Sequence, residues 1–299
     1  MSSFYSFSFC SNVDFEIVNP YDRVTSSLNK MIPFKQEFIA VGQTTLFSSE
    51  NTDDVDTTEI LYSKFDITCN ISAKRTIGFP GIGPKNKFNQ IGTDVTRRGS
   101  SIYITGYEQY FSGGSTTPEE KPIYLKTSPD GTNESLMYLD FGSRSVGKSI
   151  FWRKSTKSLL IAGETRTNVF IGKGDPEAIF LAEFTPPFFN NVKVELFGTG
   201  TSDDSVVDLT LSQDKNVVML SNSFDFIDLY QDTKPWIIER YDDIAQQCRD
   251  APYQVSLQYR PVQSTEAHEN SIRISTYFID LVTVDVIMDN IVTCPKMEV

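Results

Sequence analysis

Short apolar runs, rich in β-branched and aromatic residues and separated by polar turn residues, dominate the sequence, and the region Met137–Ser223 contains the same ordered set of runs twice. In each copy an apolar run ends in Phe-Gly, at Phe141-Gly142 and at Phe197-Gly198, and a turn and two further runs follow. Short runs bounded by turn residues predict β-strands. Their recurrence at a fixed spacing predicts a repeat protein.

Four kinds of predicted strand recur in the same order. The second kind is the clearest, at Phe38–Gly42, Ile102–Gly106, Leu159–Gly163, Val217–Ser221 and, more weakly, Val282–Val286. The third kind begins at Phe4, Ile60, Ile123, Ile179 and Trp236. The fourth kind is predicted at Phe15–Val18, Lys74–Gly78, Leu136–Phe141, Val192–Phe197 and Gln254–Tyr259. The first kind is predicted at Val24–Leu28, Gln90–Val95, Lys148–Trp152, Ser205–Leu211 and Ser271–Thr276. The glycine that closes most second strands predicts either the end of the strand or a close backbone approach.

Five strands of each kind, at a repeat of about 57 residues, predict an all-β fold. We interpret residues 1–299 as a single five-bladed β-propeller of four-stranded blades. The sequence begins with a third and a fourth strand and ends with a first and a second. Segments 1–19 and 270–299 should therefore form one composite blade, with Phe4–Phe9 paired to Val282–Val286. Such closure removes open sheet edges. A β-sandwich and an open solenoid remain alternatives.

Several motifs resemble the repeats of SBBP-type β-propeller proteins. They are IYITGY, IYLKTSPDG and FGSRSVGKSI, and in that family a "niyvtG" strand precedes an "aflak-dpdG" strand and an "fG" turn. The resemblance covers about Ile60 to Asp242. It weakens at the ends, where Val286 replaces the glycine and Tyr259-Arg260 replaces Phe-Gly. It implies a fold, and that family carries no single activity.

The connections from second to third strands are long and predict a binding face. They are Gln43–Glu59, Tyr107–Pro122, Glu164–Ala178 and Asn222–Pro235, whereas first-to-second turns are short. In a propeller these long connections share a face with the fourth-to-first connections, and long loops on a rigid scaffold often bind ligands. The candidate binding residues are Tyr110, Phe111, Phe170, Asp175, Phe226, Asp228 and Tyr230. In the alternative interpretation, the aromatic rings pack back onto the blades and the acids only solvate the rim.

The net charge of −12 argues against a nucleic-acid partner and favours a basic protein partner. No apolar run approaches 18 residues and no signal peptide is recognisable, so we expect no membrane contact and a cytoplasmic location or a place in an intracellular assembly. The four cysteines are far apart and predict reduced, mostly buried thiols.

Few motifs point to catalysis or to a cofactor. Gly142–Ser149 matches the phosphate-binding pattern G-x-x-x-x-G-K-[ST], but the next predicted strand begins at Leu159 and leaves no room for the required helix. His268 is the only histidine, so a multi-histidine metal site is impossible. We expect no cofactor, no metal and no nucleotide binding.

Two acids, Asp94 and Asp208, lie on the innermost predicted strands. Paired carboxylates could hydrolyse glycosides. Alternatively, they satisfy backbone N–H groups or hold a structural ion or water. The acidic segment Glu50–Asp56 resembles a calcium-attracting loop but lacks the spacing of a dedicated site.

Three functions follow from this pattern. The first is a non-enzymatic binding or scaffold propeller that engages a protein partner through its long loops. The second, from a different class, is a carbohydrate-binding propeller. The third is a glycosidase-like enzyme that uses Asp94 and Asp208.

Overall fold

The computed structural model describes residues 24–46, 57–66, 71–78, 87–111, 117–132, 135–141, 144–166, 177–186, 188–197, 203–224, 233–240, 256–260 and 263–266. Within these ranges the chain forms strands and turns, and no helix is present. The predicted all-β class is therefore confirmed. The two segments of the predicted composite blade lie outside the described residues.

The strands group into four successive units. The first unit contains β1 (Val24–Phe34), β2 (Glu37–Leu46), β3 (Thr57–Asp66) and β4 (Ile71–Gly78). The second contains β5 (Lys87–Arg98), β6 (Ser101–Phe111), β7 (Glu119–Thr127) and β8 (Ser135–Asp140). The third contains β9 (Ser145–Arg153), β10 (Ser158–Arg166), β11 (Glu177–Thr185) and β12 (Phe188–Phe197). The fourth contains β13 (Asp203–Leu211), β14 (Val217–Phe224) and β15 (Thr233–Arg240). Two short strands follow, β16 (Ser256–Arg260) and β17 (Gln263–Glu266).

Within each unit, consecutive strands pair antiparallel in chain order. The first three units are complete four-stranded meanders, as the strand pattern predicted. A single parallel bridge between Thr58 and Asn89 joins the first unit to the second. Among the described residues no sheet closes on itself.

The predicted fourth strand of the fourth unit pairs elsewhere, and this corrects the sequence interpretation. Gln254–Tyr259 was expected beside β15, but β16 pairs antiparallel with β8 of the second unit. β17 then pairs antiparallel with β4 of the first unit. The outer edges of β4 and β8 would otherwise present unpaired N–H and C=O groups, which the two short strands satisfy.

The first strand of every unit contains a β-bulge. The register shifts after Leu28 in β1, after Gly92 in β5, after Gly147 in β9 and after Val206 in β13. A bulge adds one residue to a strand and redirects the side chain that follows it. The four units therefore share a local distortion as well as a strand order.

A glycine lies opposite the residue before the bulge in three units: Gly42, Gly106 and Gly163. A Cβ atom on Gly42 would lie 1.8 Å from the carbonyl oxygen of Ser27, and one on Gly106 would lie 1.8 Å from that of Ile91. The strands continue past these glycines. Of the two sequence interpretations, close backbone approach is confirmed and strand termination is wrong.

The hydrophobic core lies between successive units. The second and third units therefore bury both faces of their sheets. In β6, Ile102 and Ile104 belong to a cluster shared with the first unit, whereas Tyr103 belongs to one shared with the third. In β10, Leu159 faces the second unit and Leu160 faces the fourth. Each such side chain stabilises the fold by about 1.5–3 kcal/mol. Successive side chains of such a strand therefore point into two different cores, instead of into a core and into solvent.

Candidate functional site

Four polar side chains that follow the bulges meet where the first strands of the four units converge. We call this group the central cluster: Lys30, Asp94, Ser149 and Asp208. The Ser149 hydroxyl is 2.6 Å from a carboxylate oxygen of Asp94 and 3.1 Å from one of Asp208. The ammonium of Lys30 lies 3.0 and 3.1 Å from the two oxygens of Asp208. The prediction that Asp94 and Asp208 lie on the first strands is thus confirmed, and the bulges bring them together.

Asp94 is buried and joins two units. Its carboxylate accepts hydrogen bonds from the N–H groups of Val95 at 2.7 Å and Ile150 at 2.8 Å, and from the Ser149 hydroxyl. Burial raises its pKa, although these donors and Lys30 oppose the shift. A glycosidase needs space for water or sugar between its two carboxylates, and here Ser149 lies between Asp94 and Asp208. The arrangement supports the interpretation that these acids satisfy backbone N–H groups.

Lys30 and Asp208 form a half-exposed ion pair. Burial on its own would raise the pKa of Asp208, but hydrogen bonds from Lys30 and the Leu209 N–H group outweigh it and lower the pKa. Burial would likewise lower the pKa of Lys30, but the charge of Asp94 and the hydrogen bond to Asp208 outweigh it and raise the pKa. Lys30 therefore stays protonated at neutral pH and cannot act as a general base.

The inserted residues of two bulges tie each unit to the next. The Asn29 side-chain amide donates to the Gly92 carbonyl at 2.7 Å, and the Thr93 hydroxyl donates to the Gly147 carbonyl at 3.0 Å. Equivalent positions in successive units thus make equivalent contacts. The surroundings of the central cluster are therefore a repeated scaffold, with both of these donors directed at the next first strand.

The strand ends define two faces. The starts of the first and third strands lie beside the ends of the second strands, as in the pairs Lys87–Phe111 and Tyr110–Glu119. We call this side the loop face and the opposite side, with the first-to-second turns, the turn face. The N–H group of Glu177 donates to Asp203 at 2.8 Å, which joins the loop-face ends of the third and fourth units. The long connections therefore begin and end on one face, as predicted. Their predicted bounds are too wide, because β6 continues to Phe111 and β7 begins at Glu119 inside the expected connection Tyr107–Pro122.

Charged side chains link the second and third units on the loop face. Arg144 contacts the buried carboxylate of Glu120 and lies 3.3 Å from Glu177. Arg166 also contacts Glu177, at 3.0 Å. The side-chain amide of Gln109 donates to Glu120 at 2.7 Å. Because each acid has a cation or amide partner, this network fixes the relative positions of the strand ends.

Glu164 is a buried acid of the loop face with a raised pKa. Only 8% of the residue is exposed, and burial raises its pKa to about 7. The ammonium of Lys148, 3.6 Å away, opposes the shift, and the charge of Glu177 adds to it. The N–H group of Val206 also donates to this carboxylate. Glu164 therefore changes charge near neutral pH, between the third and fourth units.

A shallow depression opens between β6 and β7 on the loop face, lined by Glu108, Tyr110, Glu119 and Lys121. Glu108 is almost fully buried and accepts hydrogen bonds from the Tyr138 hydroxyl at 2.6 Å and the Gln90 amide at 2.9 Å. Lys121 forms an ion pair with Asp140 at 3.0 Å. The depression therefore combines an aromatic ring with carboxylates and an ammonium, and neighbouring side chains fix Glu108 and Lys121.

Two of the predicted binding residues can be placed. Tyr110 is half-buried, lines the depression, and stacks on Phe88 with ring centroids 4.8 Å apart. Phe111 is half-buried at the end of β6 and does not line the depression. The ring of Tyr110 thus packs onto its own unit and still contributes to a concave surface. The other predicted residues lie outside the described part of the chain: Phe170, Asp175, Phe226, Asp228 and Tyr230.

Sequence reasoning missed Lys30 in the central cluster and Glu108, Lys121 and Glu164 on the loop face. Glu108 and Glu164 follow the second-strand glycine closely, in GYE and GE. The recurrence of a glutamate one or two residues after that glycine is a sequence signal that could have identified both residues. Lys30 lies beyond the predicted first strand Val24–Leu28, and the bulge that aligns it with Asp94 is visible only in the structure.

Residues Ser145–Ser149 of the segment that matches a phosphate-binding loop lie in a strand. Ser145–Arg153 forms β9, so no helix begins at Lys148. Lys148 instead contacts Glu164, and Ser149 donates to Asp94. The prediction that no helix begins at Lys148 is confirmed. The missing helix was the main reason for expecting no nucleotide site here.

Over the described ranges, no group of three or more His, Cys, Asp or Glu residues could hold a metal ion. In the same ranges no helix is long and apolar enough to cross a membrane. His268, the four cysteines and the acidic segment Glu50–Asp56 lie outside them.

The sequence matches no protein-family model and no curated protein. A solved structure described as a complex of BT0996 and RGII is similar with a TM-score of 0.43 and 10% identity, over 80% of this protein and 76% of the other. Another, described as "Glycoside hydrolase", has a TM-score of 0.40 and 10% identity, over 90% of this protein and 79% of the other. Likenesses this weak assign neither a fold nor an activity.

Proposed function

We propose that the protein is a carbohydrate-binding protein that holds part of a glycan in the loop-face depression. The observation that carries this proposal is the composition of the depression: Glu108, Tyr110, Glu119 and Lys121. An aromatic ring packs against the C–H face of a sugar. Carboxylates accept hydrogen bonds from sugar hydroxyls, and an ammonium donates to them.

The groups in the depression are held before a ligand arrives. Tyr138 and Gln90 position Glu108, Asp140 positions Lys121, and Phe88 supports the ring of Tyr110 from one side. Side chains that are already fixed lose little conformational freedom on binding. This favours a small, polar ligand that fits the existing shape.

The proposed scaffold is a five-bladed propeller closed by segments 1–19 and 270–299. Its support is the repeated geometry of four units and the contact between Lys30 of the first unit and Asp208 of the fourth. One further blade would complete the ring and remove its open edges. Deleting Ser2–Phe9 should then lower the melting temperature of the whole domain, because ladder hydrogen bonds and an apolar face would be lost. An unchanged melting temperature would argue against closure.

A glycan array followed by calorimetric titration tests the binding proposal. Tyr110→Ala should weaken binding of the best glycan by about 1–3 kcal/mol, the range for an aromatic anchor. Phe111→Ala is the matched control, because it removes a neighbouring ring of the same strand that lies outside the depression. Equal losses in both variants, or no glycan bound by the wild type, would reject the depression as a sugar site.

A basic protein partner on the same face is the second candidate. It is supported by the exposed carboxylate of Glu119 beside the depression and by the net charge of −12. A pull-down from the native source at low and high salt would test it, since binding through charges weakens as salt rises. Capture that survives high salt and the Glu119→Gln change would count against this charge-based mode.

A further inference from the structure

The turns between first and second strands are basic, although the protein as a whole carries a net charge of −12. These turns comprise residues 34–37, 97–100, 153–158 and 212–216. They carry six exposed cations, which we call the basic arc: Lys35, Arg97, Arg98, Lys154, Lys157 and Lys215. The four turns contain two acids, Glu37 and Asp214. Glu37 forms an ion pair with Lys64 at 2.7 Å. The first-to-second turns therefore concentrate positive charge, on a face that also carries Asp66 and Asp130 at or just after the ends of third strands.

Contacts between the turns make the basic arc continuous. The guanidinium of Arg97 lies 5.7 Å from the ring centroid of Phe34 in the first turn. The guanidinium of Arg98 lies 4.7 Å from the ring centroid of Trp152, beside the third turn. Arg153 donates a hydrogen bond of 3.2 Å to a backbone carbonyl of the fourth turn. Cations from all four units therefore follow one another across a single surface.

Three of the turns hold a lysine in the left-handed region, with φ of 56° at Lys35, 54° at Lys157 and 68° at Lys215. The second turn has Gly99 with φ of 59°. A residue with a Cβ in this conformation costs about 1 kcal/mol, which glycine or asparagine largely avoids. The strained turn position thus carries a positive charge in three of the four units.

We propose that the basic arc binds an acidic polysaccharide through the carboxylate or sulfate groups of its sugars. Phe34 and Trp152 are buried, and no other aromatic or large apolar side chain occurs in the four turns, so stacking on bases and insertion among acyl chains lack a platform. The turns instead expose Ser100, Thr156 and Gln213, which can hydrogen-bond to sugar hydroxyls. This site lies opposite the depression and is independent of the function proposed for it.

The test uses the full-length protein and two fluorescent probes, a heparin-derived decasaccharide and an oligogalacturonate of equal length. Binding is measured by anisotropy at two salt concentrations. The variant Lys35→Asn/Lys157→Asn/Lys215→Asn removes three charges while asparagine tolerates the left-handed position. The control Lys74→Gln/Arg166→Gln/Lys193→Gln removes as many charges outside the four turns.

We expect the asparagine variant to bind at least one probe roughly tenfold more weakly, as the loss of several surface ion pairs predicts, and to melt no lower than the wild type. The control should bind as the wild type does. The carboxylate and sulfate probes identify which acidic group is preferred. Equal weakening in the control, no binding by either probe, or tighter binding of an oligodeoxynucleotide or of anionic vesicles overturns the proposal.

Discussion

Asp94 in the central cluster and Glu164 on the loop face are both buried acids, and they have different partners. Asp94 accepts hydrogen bonds from two backbone N–H groups and a hydroxyl, two of the three donors belonging to the neighbouring β9. Glu164 has Lys148 at 3.6 Å and one backbone donor, and its pKa is raised to about 7. Burial raises the pKa of both acids, but three fixed donors oppose that shift at Asp94, whereas one backbone donor and Lys148 oppose it at Glu164.

The largest effect is expected where the bulge beside the central cluster meets β6. Gly106→Ala should destabilise the protein by about 4 kcal/mol, because its Cβ would overlap the Ile91 carbonyl oxygen. Gly99→Ala is the control: its Cβ would meet no atom within 4 Å, and only the positive φ costs about 1 kcal/mol. Urea denaturation of both variants measures the difference, and equal losses would contradict the close approach.

Asp94→Ala should cost about 3 kcal/mol of unfolding free energy, because the Ile150 N–H group and the Ser149 hydroxyl would lose their acceptor. Asp94→Asn should cost less, since it keeps one acceptor oxygen. Chemical denaturation at pH 7 is the measurement. An alanine variant as stable as the wild type would show that this carboxylate does not hold β5 to β9.

Glu164→Gln should change how stability depends on pH. The pKa of Glu164 is about 7 in the folded protein and ordinarily 4.5, so the folded state binds the proton more tightly. That stabilisation is complete below pH 4.5 and is lost as the pH rises through 7. The wild type should lose about 2–3 kcal/mol more than the glutamine variant between about pH 4.5 and 8. Parallel stability profiles from denaturation at several pH values would contradict this.

Lys30→Met should have the smallest effect, at most about 1 kcal/mol, because the Lys30–Asp208 pair is half-exposed. The ion-pair contribution should also shrink in high salt. Thermal melts of both proteins at two salt concentrations measure it. If Lys30→Met lowers stability as much as Asp94→Ala does, the Lys30–Asp208 pair contributes as much to stability as the Asp94 hydrogen bonds, and the expected difference between the two is wrong.

The strands and their order within units could be predicted from the sequence, because short apolar runs such as those in β6 and β10 are bounded by turn residues and recur at a regular spacing. The pairing of β16 with β8 could not be predicted. Its residues mark a strand, but the edge it joins depends on which backbone groups remain unpaired once the units have assembled. Sequence periodicity records burial and contains no information on that choice.

The candidate site was predicted in part. The long connections located the loop face, and Tyr110 lies in its depression. The acids Asp94 and Asp208 were located on the first strands, but their role depends on bulges that place Ser149 between them. The sequence pattern placed Glu164 at the start of a long connection, whereas the structure places it near the end of β10. Its raised pKa arises from the fourth unit packing beside it, which a local pattern does not contain.

The pairing of β16 and β17 with β8 and β4 has a consequence for biosynthesis. The first two units are complete at Asp140, but the strands that cover their outer edges end at Glu266. At about 5–20 residues per second, translation of the intervening residues takes roughly 6–25 s. During that interval two exposed sheet edges are available to other nascent chains. Slow translation after Asp140 should therefore favour aggregation, and chaperones that shield strand edges should act in this window.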